Sequence, residues 1–279
     1  MVEINLSEEV MAKIKQKIGY QATFNVQDIF SAIDFADQNN FKAVEINLSI
    51  PIFYPEKYKR EERENITRYS KDKDITLLIH APEEASIFSF QDEVRKNSIR
   101  ILKKVIDFGY DIGAKIITFH LGFDVFISSN GKMISIRELF PNQFKKNLVE
   151  SLSVLLSYSK GKIDLSLENV GNFVEPETKE IIRTFLENEN LFLTWDLGHN
   201  NLKYKVHQKQ DEFFMKYSNK IKCCHLHDNH GDKDEHLPIG EGEIDFGYYL
   251  PIVADLNSYL IFEVRPKELA LICLKNLKI

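Results

Sequence analysis

The sequence predicts a single-domain (β/α)8 barrel that spans residues 1–279, and two patterns favour this fold. Eight short apolar runs recur along the chain, separated by longer charged segments with a helical spacing of apolar residues. Seven of the eight runs also end on a histidine or an acidic residue, and a barrel brings the ends of its strands together. No Pro/Gly-rich or low-complexity stretch divides the chain, so we expect one domain.

The apolar runs have the length and the β-branched and aliphatic content of buried strands. In chain order they are KIGYQATF, KAVEINLS, ITLLIHAP, KIITFHLG, IDLSLENV, LFLTWDLGH, IKCCHLHD and YLIFEVRP. The segments between them repeat apolar residues every three or four positions, which predicts amphipathic helices. These segments span residues 26–39, 92–110, 138–159, 176–188 and 206–219.

A doubly wound open sheet is the alternative for alternating strands and helices. It predicts a glycine-rich phosphate-binding turn after the first strand, but the segment TFNVQD, residues 23–28, contains no glycine. The barrel is therefore favoured, and alternation along its strands predicts a layer of inward-facing side chains below the strand ends. That layer comprises Ala43, Leu78, Thr118, Ser166, Thr194, Cys223 and Ile261.

The composition argues against several other classes of protein. With 43% hydrophobic and 28% charged residues, the chain is ordinary for a globular protein with a sizeable core. The net charge of −6 gives no reason to expect nucleic acid or an anionic membrane as a partner. No apolar run approaches the roughly 20 residues of a membrane span, and the first residues lack a signal-peptide core. The three cysteines indicate no disulfide framework, so we expect a cytoplasmic location.

The polar strand ends all belong to residue types that bind metals. They are Glu45, His80, His120, Glu168, Asp196, His225 and Glu263. Buried ionisable groups are costly unless they are paired or metal-bound. Carboxylates that converge on one barrel mouth repel one another, and divalent cations remove this repulsion. The strand ends therefore predict a divalent-metal site at the carboxyl-terminal mouth.

Three further candidate ligands come from the loops that follow these strands. His199 lies one helical turn beyond Asp196, and Asp234 and His236 are two residues apart in the stretch DKDEHLPIGEG. An extended segment presents both of the latter side chains on one side. Imidazole and carboxylate donors suit zinc, manganese or iron, and the lack of cysteine ligands argues against a closed structural zinc site.

Other polar residues near the site remain open to two interpretations. His227 is either a donor beside the ligands or a solvent-facing loop residue, and His230 is expected to face solvent. Asp228 is interpreted as a carboxylate that orients a ligand imidazole. Glu45 is either a substrate contact or a structural ion-pair partner. Gly240 and Gly242 are expected to shape the turn after the ligand loop.

The loop GFDVFISSNGKMISIRELFPN, residues 122–142, is long and follows the fourth strand at the predicted mouth. Its apolar residues Phe123, Phe126 and Ile127 are expected either to cap a bound ligand or to form a dimer contact. Its basic residues Lys132 and Arg137 are candidates for contact with a phosphate group.

The stretch HLHDNHGDKDEHLPIGEGEIDF, residues 225–246, resembles the sequence signature of a known protein family. It is similar to that of the sugar phosphate isomerase/epimerase-like proteins in the xylose isomerase-like TIM-barrel superfamily, which also contains endonuclease IV. The resemblance runs through all eight strands. It implies an enzyme that depends on zinc or manganese and acts on a small sugar or phosphorylated sugar.

The two branches of the superfamily imply different ligand sets. The epimerases hold one divalent metal through residues that match Glu168, Asp196, His225 and Glu263. In them the two glutamates also move protons through an enediolate mechanism, and a histidine that matches His199 contacts substrate. Endonuclease IV holds three zinc ions. Its nine ligands match His80, His120, Glu168, Asp196, His199, His225, Asp234, His236 and Glu263.

Charge separates the two chemistries. One divalent ion on Glu168, Asp196 and Glu263 leaves a net charge of −1, which suits a neutral sugar. Three ions on all nine ligands leave +2, which suits a phosphate ester and an activated water. The chain departs from endonuclease IV in two places. That family follows the histidine of the seventh strand with Asn-Asp and a small residue, where this chain has HLHDNHG, and it has a cysteine-containing turn where this chain has DLGHN.

The chain also shows no arginine-rich or aromatic loop suited to wedging into DNA. We therefore expect a sugar or sugar-phosphate isomerase/epimerase, with an endonuclease IV-like phosphodiesterase as the alternative. Nucleic acid is a partner only under that alternative. A non-catalytic barrel that binds metal or sugar is the third hypothesis. The sequence predicts no oligomeric state.

Overall fold

The computed structural model describes residues 4–202 and 210–279 and confirms the predicted barrel. Eight parallel strands close into a barrel whose order follows the chain, and each corresponds to one of the predicted runs. They are β1 (Ile18–Ala22), β2 (Ala43–Asn47), β3 (Thr76–His80), β4 (Ile116–Phe119), β7 (Asp164–Glu168), β8 (Leu191–Asp196), β9 (Ile221–Leu226) and β10 (Tyr259–Phe262). The remaining pair, β5 (Phe126–Ser129) and β6 (Lys132–Ser135), forms a separate hairpin.

Helices surround the barrel in the connections between strands. They are α1 (Glu8–Lys15), α2 (Ile29–Gln38), α3 (Arg60–Asp72), α4 (Asp92–Asp111), α5 (Ile136–Leu139), α6 (Pro141–Ser159), α7 (Pro176–Asn188), α8 (Leu197–Asn201), α9 (Asp211–Lys216), α10 (Phe246–Asp255) and α11 (Leu269–Leu277). The five predicted helical segments contain α2, α4, α6, α7 and α9. Part of the segment 206–219, including His207, lies outside the described residues. Within residues 4–202 and 210–279, no helix is long and apolar enough to cross a membrane.

The helices pack on the barrel because one face of each is apolar. In α4 the buried residues include Leu102, Val105, Ile106 and Phe108, which share one side of the helix at spacings of one to four residues. They join a continuous core between the helices and the outward-facing strand residues, such as Ile79 and Ile117. Several helices begin after a residue whose side chain caps the first turn. Before α2, for example, the Asp28 carboxylate accepts a hydrogen bond from the Ser31 amide.

The interior of the barrel contains the predicted inward layer. Ala43, Leu78, Cys223 and Ile261 form a second, smaller apolar cluster that also includes Ile116. The polar members of the layer are Thr118, Ser166 and Thr194. Thr194 Oγ1 lies 3.0 Å from Thr118 Oγ1 and 2.8 Å from Ser166 Oγ, so the three hydroxyls satisfy one another. Since Thr118 and Thr194 belong to strands separated by β7, their contact crosses the inside of the barrel.

The long loop after β4 contains a hairpin that the sequence interpretation missed. Its turn has positive backbone φ angles at Asn130 (49°) and Gly131 (75°), which are typical of a two-residue hairpin turn. The Asn-Gly pair is the sequence signal for this turn. Phe123, Phe126 and Ile127 are exposed in this hairpin region, and their expected role as a ligand cap or dimer contact stays a prediction.

Arg137 does not fit its expected role as a phosphate contact. Its side chain is buried within α5, and its guanidinium lies within 4.0 Å of several carboxylates. The nearest are those of Asp124 and Glu175, each at 3.5 Å. The charge of Arg137 is therefore already paired, and this prediction was wrong. Lys132 is exposed.

Candidate metal and active site

All nine predicted metal ligands lie together at the carboxyl-terminal ends of the barrel strands and in the loops that follow them. Together with those of Glu45, Cys223 and His227, their donor atoms fall into overlapping groups whose members lie within 4.8 Å of one another. The groups are Glu168, Asp196, His225 and Glu263; His80, His120 and Glu168; Asp196, His199 and His227; His227, Asp234 and His236; and Glu45, Cys223 and His225. Parallel strands produce this convergence because all of their carboxyl ends meet at one mouth.

The first group is a buried set of four donors from β7, β8, β9 and the residue after β10. His225 Nδ1 lies 2.9 Å from Glu263 Oε2, 3.5 Å from Glu168 Oε1 and 3.6 Å from Asp196 Oδ2. His225 Nδ1 and Glu263 Oε2 are both buried and, although they lie 2.9 Å apart, neither makes a hydrogen bond of acceptable geometry. Buried polar atoms normally have partners, so these two atoms fit a bound cation, and one imidazole with three carboxylates suits zinc or manganese.

The second group joins two histidines to the Glu168 carboxylate. His80 Nδ1 donates a hydrogen bond to the Ala81 carbonyl at 3.0 Å, which leaves Nε2 directed at Glu168 Oε2 at 3.2 Å. His120 Nε2 lies 2.9 Å from the same oxygen. Because the other oxygen of Glu168 faces the first group, this carboxylate lies between the two groups.

The third region is made by the loops after β8 and β9. The Asp196 carboxylate caps α8 by accepting a hydrogen bond from the His199 amide at 2.6 Å. His199 Nε2 lies 3.0 Å from Asp234 Oδ2, and His236 Nε2 lies 3.3 Å from the same oxygen. His227, which the sequence left open, is fully buried between Asp196 and Asp234 and does not face solvent.

Glu45 is a buried partner of His225 on the side of the imidazole ring that faces away from the first group, and it is not exposed to a substrate. Its buried carboxylate lies 3.1 Å from His225 Nε2 and accepts a hydrogen bond from Gln21 Nε2 at 3.0 Å. A histidine whose far nitrogen pairs with a carboxylate presents its near nitrogen in a fixed orientation. Arg265 acts on the other side, where its guanidinium donates to Glu263 Oε1 at 2.8 Å. Glu263 Oε2 then remains directed at His225.

The surrounding histidines keep the carboxylates of the first group ionised. Burial opposes ionisation of Glu168, but the charges of His120 and His225 outweigh it and hold its pKa well below the usual value. Burial likewise opposes ionisation of Glu263, and the charge of His225 outweighs it and lowers the pKa of Glu263. Asp196, also buried, has a lowered pKa chiefly because of the charge of His199 beside it.

The histidines shift in the opposite direction for the same reason. Burial disfavours the charged form of His80, but its hydrogen bond to Glu168 prevails and raises its pKa to about 9. Burial is also outweighed at His225, where the charge of Glu45 and then that of Glu263 raise the pKa well above its usual value. In the metal-free chain the cluster is thus balanced by protons on imidazoles, which a divalent cation would displace.

Asp228 does not orient a ligand imidazole, contrary to the sequence interpretation. Its carboxylate accepts backbone hydrogen bonds from Asn229, Gly240, Gly242 and Ile244, at 2.9 to 3.1 Å. Gly242 approaches so closely that an added Cβ would lie 2.4 Å from Asp228 Oδ1. The loop that bears Asp234 and His236 is therefore closed at its base by one carboxylate, and Gly240 and Gly242 shape it as expected.

Three supporting residues were not identified from the sequence. Arg265 lies two residues after Glu263, so strand alternation offered a signal for its side. Gln21 is a polar residue inside the first apolar run, and this run is the one of the eight that does not end on a metal-binding side chain. Asn169, directly after Glu168, accepts from the Asp196 amide at 2.6 Å and donates to the Asp196 carbonyl at 2.9 Å. His230 is exposed and pairs with Glu235, in agreement with the sequence.

Comparison with known proteins agrees with this architecture. Residues 33–274 match the family described as the xylose isomerase-like TIM barrel. The chain belongs to this family. A solved D-tagatose 3-epimerase-like protein superposes with a TM-score of 0.74 at 23% identity, covering 94% of this chain and 96% of that one. The 3-keto-D-glucoside 4-epimerase YcjR from E. coli gives 0.71 at 18% identity, covering 94% and 98%.

A relative at the sequence level is the uncharacterized protein MJ1614 of Methanocaldococcus jannaschii. It is 29% identical over 214 residues, which cover 74% of this chain and 77% of that protein. The solved structures, at under 25% identity, show that the fold is shared.

Proposed function

We propose that this barrel is a divalent-metal-dependent isomerase or epimerase of a sugar or phosphorylated sugar. The observation that carries the proposal is the buried group Glu168, Asp196, His225 and Glu263, whose donor atoms lie within 4.8 Å of one another. The epimerases among the neighbours of the same fold support the reaction class.

The roles are those that the resemblance to the epimerases implies, and the contacts of the side chains support them. A bound divalent cation, zinc or manganese, supplies Lewis acidity to a carbonyl and its neighbouring hydroxyl, which acidifies the C–H bond between them. Glu168 and Glu263 are the acid/base pair that takes and returns the proton. Arg265 and His225 fix the two oxygens of Glu263. His199, held between Glu168 and Asp234, contacts the substrate.

An endonuclease IV-like phosphodiesterase is the second candidate function. It is favoured by the donor groups beyond the first one, namely His80 and His120 with Glu168, and Asp234 and His236 beside His227. Up to three ions would give the net positive cluster that suits a phosphate ester. The ion count per chain therefore separates the two reactions, since about three zinc ions favour the phosphodiesterase.

The test begins with metal-free chain reloaded with Mn²⁺ or Zn²⁺ and offered a panel of ketoses, aldoses and their phosphates in deuterated water. Deuterium gained at the epimerised carbon reports the proton transfer itself. Glu168→Gln and Glu263→Gln should each lower the rate by roughly 10²–10⁴-fold, the usual size of an acid/base contribution. Glu187→Gln, at the end of α7, is the matched control and should retain the rate.

If neither glutamine variant lowers turnover of a sugar that the wild type converts, the proton-transfer roles are wrong. Cleavage of an abasic-site oligonucleotide by the wild type, lost in Asp234→Ala, would instead establish the phosphodiesterase.

A further inference from the structure

His227 is a buried histidine of the mouth that has no role in the proposed isomerase or epimerase reaction. It lies one residue beyond the end of β9 and is fully buried. Its Nε2 atom lies 3.2 Å from both oxygens of Asp196 and 3.7 Å from Asp234 Oδ1. Its Nδ1 atom is buried without a hydrogen-bond partner. The ring is therefore directed, through Nε2, at the space between two carboxylates of different loops.

The fold makes specific room for this ring at Gly198. A Cβ added to Gly198 would lie 1.9 Å from Cε1, 2.3 Å from Nε2 and 2.4 Å from Nδ1 of His227. Any other residue at position 198 must displace the imidazole, because real Cβ atoms do not approach so closely. Gly198 follows β8 and His227 follows β9, so this contact joins the loops after two neighbouring strands.

Other donors surround the same space. His236 donates from Nδ1 to the Glu263 carbonyl at 2.7 Å, which leaves its Nε2 directed at Asp234 Oδ2, 3.3 Å away. The His227 and His236 rings stack with centroids 4.0 Å apart. His227 is also the member shared by the group with Asp196 and His199 and the group with Asp234 and His236.

We propose that His227 is a metal ligand, and that with Asp234 and His236 it forms a second divalent-cation site beside the Glu168–Asp196–His225–Glu263 group. Two imidazoles and a carboxylate are a donor set that zinc and manganese accept. Asp196 faces both sites, since its carboxylate lies 3.2 Å from His227 Nε2 and 3.6 Å from His225 Nδ1. Asp196 would therefore be able to contribute an oxygen to each site.

This inference rests on the metal dependence proposed above and holds for either reaction. The test measures metal content directly. Metal-free chain is titrated with Mn²⁺ or Co²⁺ by calorimetry, and bound metal is counted after gel filtration. The wild type should hold at least two ions per chain. His227→Asn keeps a polar side chain beside Asp196 and should lose one equivalent of metal or bind it at least tenfold more weakly.

Gly198→Ala is the second variant, because it should displace the ring while His227 itself remains. It should lose the same ion. The visible spectrum of the Co²⁺-loaded chain should change in both variants, since the ligand set of one ion changes. His230→Asn, which alters the exposed histidine paired with Glu235, is the control and should retain the wild-type stoichiometry and spectrum.

The outcomes separate the two proposals. A wild type that binds no divalent ion overturns the proposed metal-dependent function. A wild type that holds a single ion overturns only the role of His227. The same conclusion follows if both variants hold as many ions as the wild type, with unchanged affinity and an unchanged cobalt spectrum. Circular dichroism of the metal-free variants shows whether each remains folded; if His227→Asn unfolds, Gly198→Ala and its cobalt spectrum decide.

Discussion

Replacing Glu45 with glutamine should weaken metal binding without touching a ligand. The Glu45 carboxylate is fully buried and lies 3.1 Å from His225 Nε2, opposite the nitrogen that faces the first group. Glutamine keeps the size of the side chain and an acceptor oxygen, and it removes the charge. At an effective dielectric constant of about 20, unit charges at this separation interact by about 5 kcal/mol, which sets an upper limit.

Only part of that energy appears in metal affinity. A proton competes with the metal cation for His225, and the Glu45 carboxylate stabilises the protonated, singly charged imidazole as well. Glu45 therefore favours metal binding only because a divalent cation carries one more positive charge than the proton. Carboxylates that orient ligand histidines typically contribute 10- to 100-fold in metal affinity. The expected loss for Glu45→Gln is therefore about 1.4 to 2.7 kcal/mol of binding free energy.

Calorimetric titration of the metal-free chain with Zn²⁺ or Mn²⁺ gives this number. Two controls separate it from general destabilisation. Glu187→Gln removes a carboxylate that accepts a hydrogen bond from Tyr217, and it should leave affinity unchanged. Leu148→Ala removes a buried side chain of α6 and should cost roughly 2 to 5 kcal/mol of unfolding free energy, again with unchanged affinity. Unaltered metal affinity in Glu45→Gln would refute the positioning role of Glu45.

Three further outcomes are expected. Asp228→Ala leaves four backbone N–H groups without their acceptor and should lower the free energy of unfolding in urea by at least about 2 kcal/mol; a change within about 0.5 kcal/mol contradicts the closure role. The charge of His225 and, to a smaller extent, that of Arg265 lower the pKa of Glu263, so Arg265→Met should raise this pKa, and an NMR titration of the Glu263 carboxyl that does not move would count against this pairing. The pKa of His80 is raised to about 9 and that of His225 is also raised, so metal uptake should release protons from these imidazoles. Metal affinity should therefore rise with pH up to about 9. Calorimetric binding heats that are the same in buffers of different ionisation enthalpy would exclude this proton release.

Much of the barrel was predictable because strand and helix periodicity are local properties of the sequence. Each of the eight apolar runs contains a strand, and strand alternation placed residues such as Thr118 and Thr194 correctly inside the barrel. The hairpin of β5 and β6 was missed although Asn130 and Gly131 are a local hairpin signal. The phosphate role expected for Arg137 failed because the carboxylates around it come from other segments, including Glu175 and Glu177.

The sequence alone determined which residues converge, because the carboxyl ends of parallel strands share one mouth whatever their separation along the chain. Only the tertiary structure decided what each residue does there. Whether Glu45 met substrate or His225 depended on side-chain directions across the barrel. Whether His227 faced solvent or the site depended on the space that Gly198, from another strand's loop, leaves for its ring. Such contacts join residues that are distant along the chain, and periodicity carries no information about them.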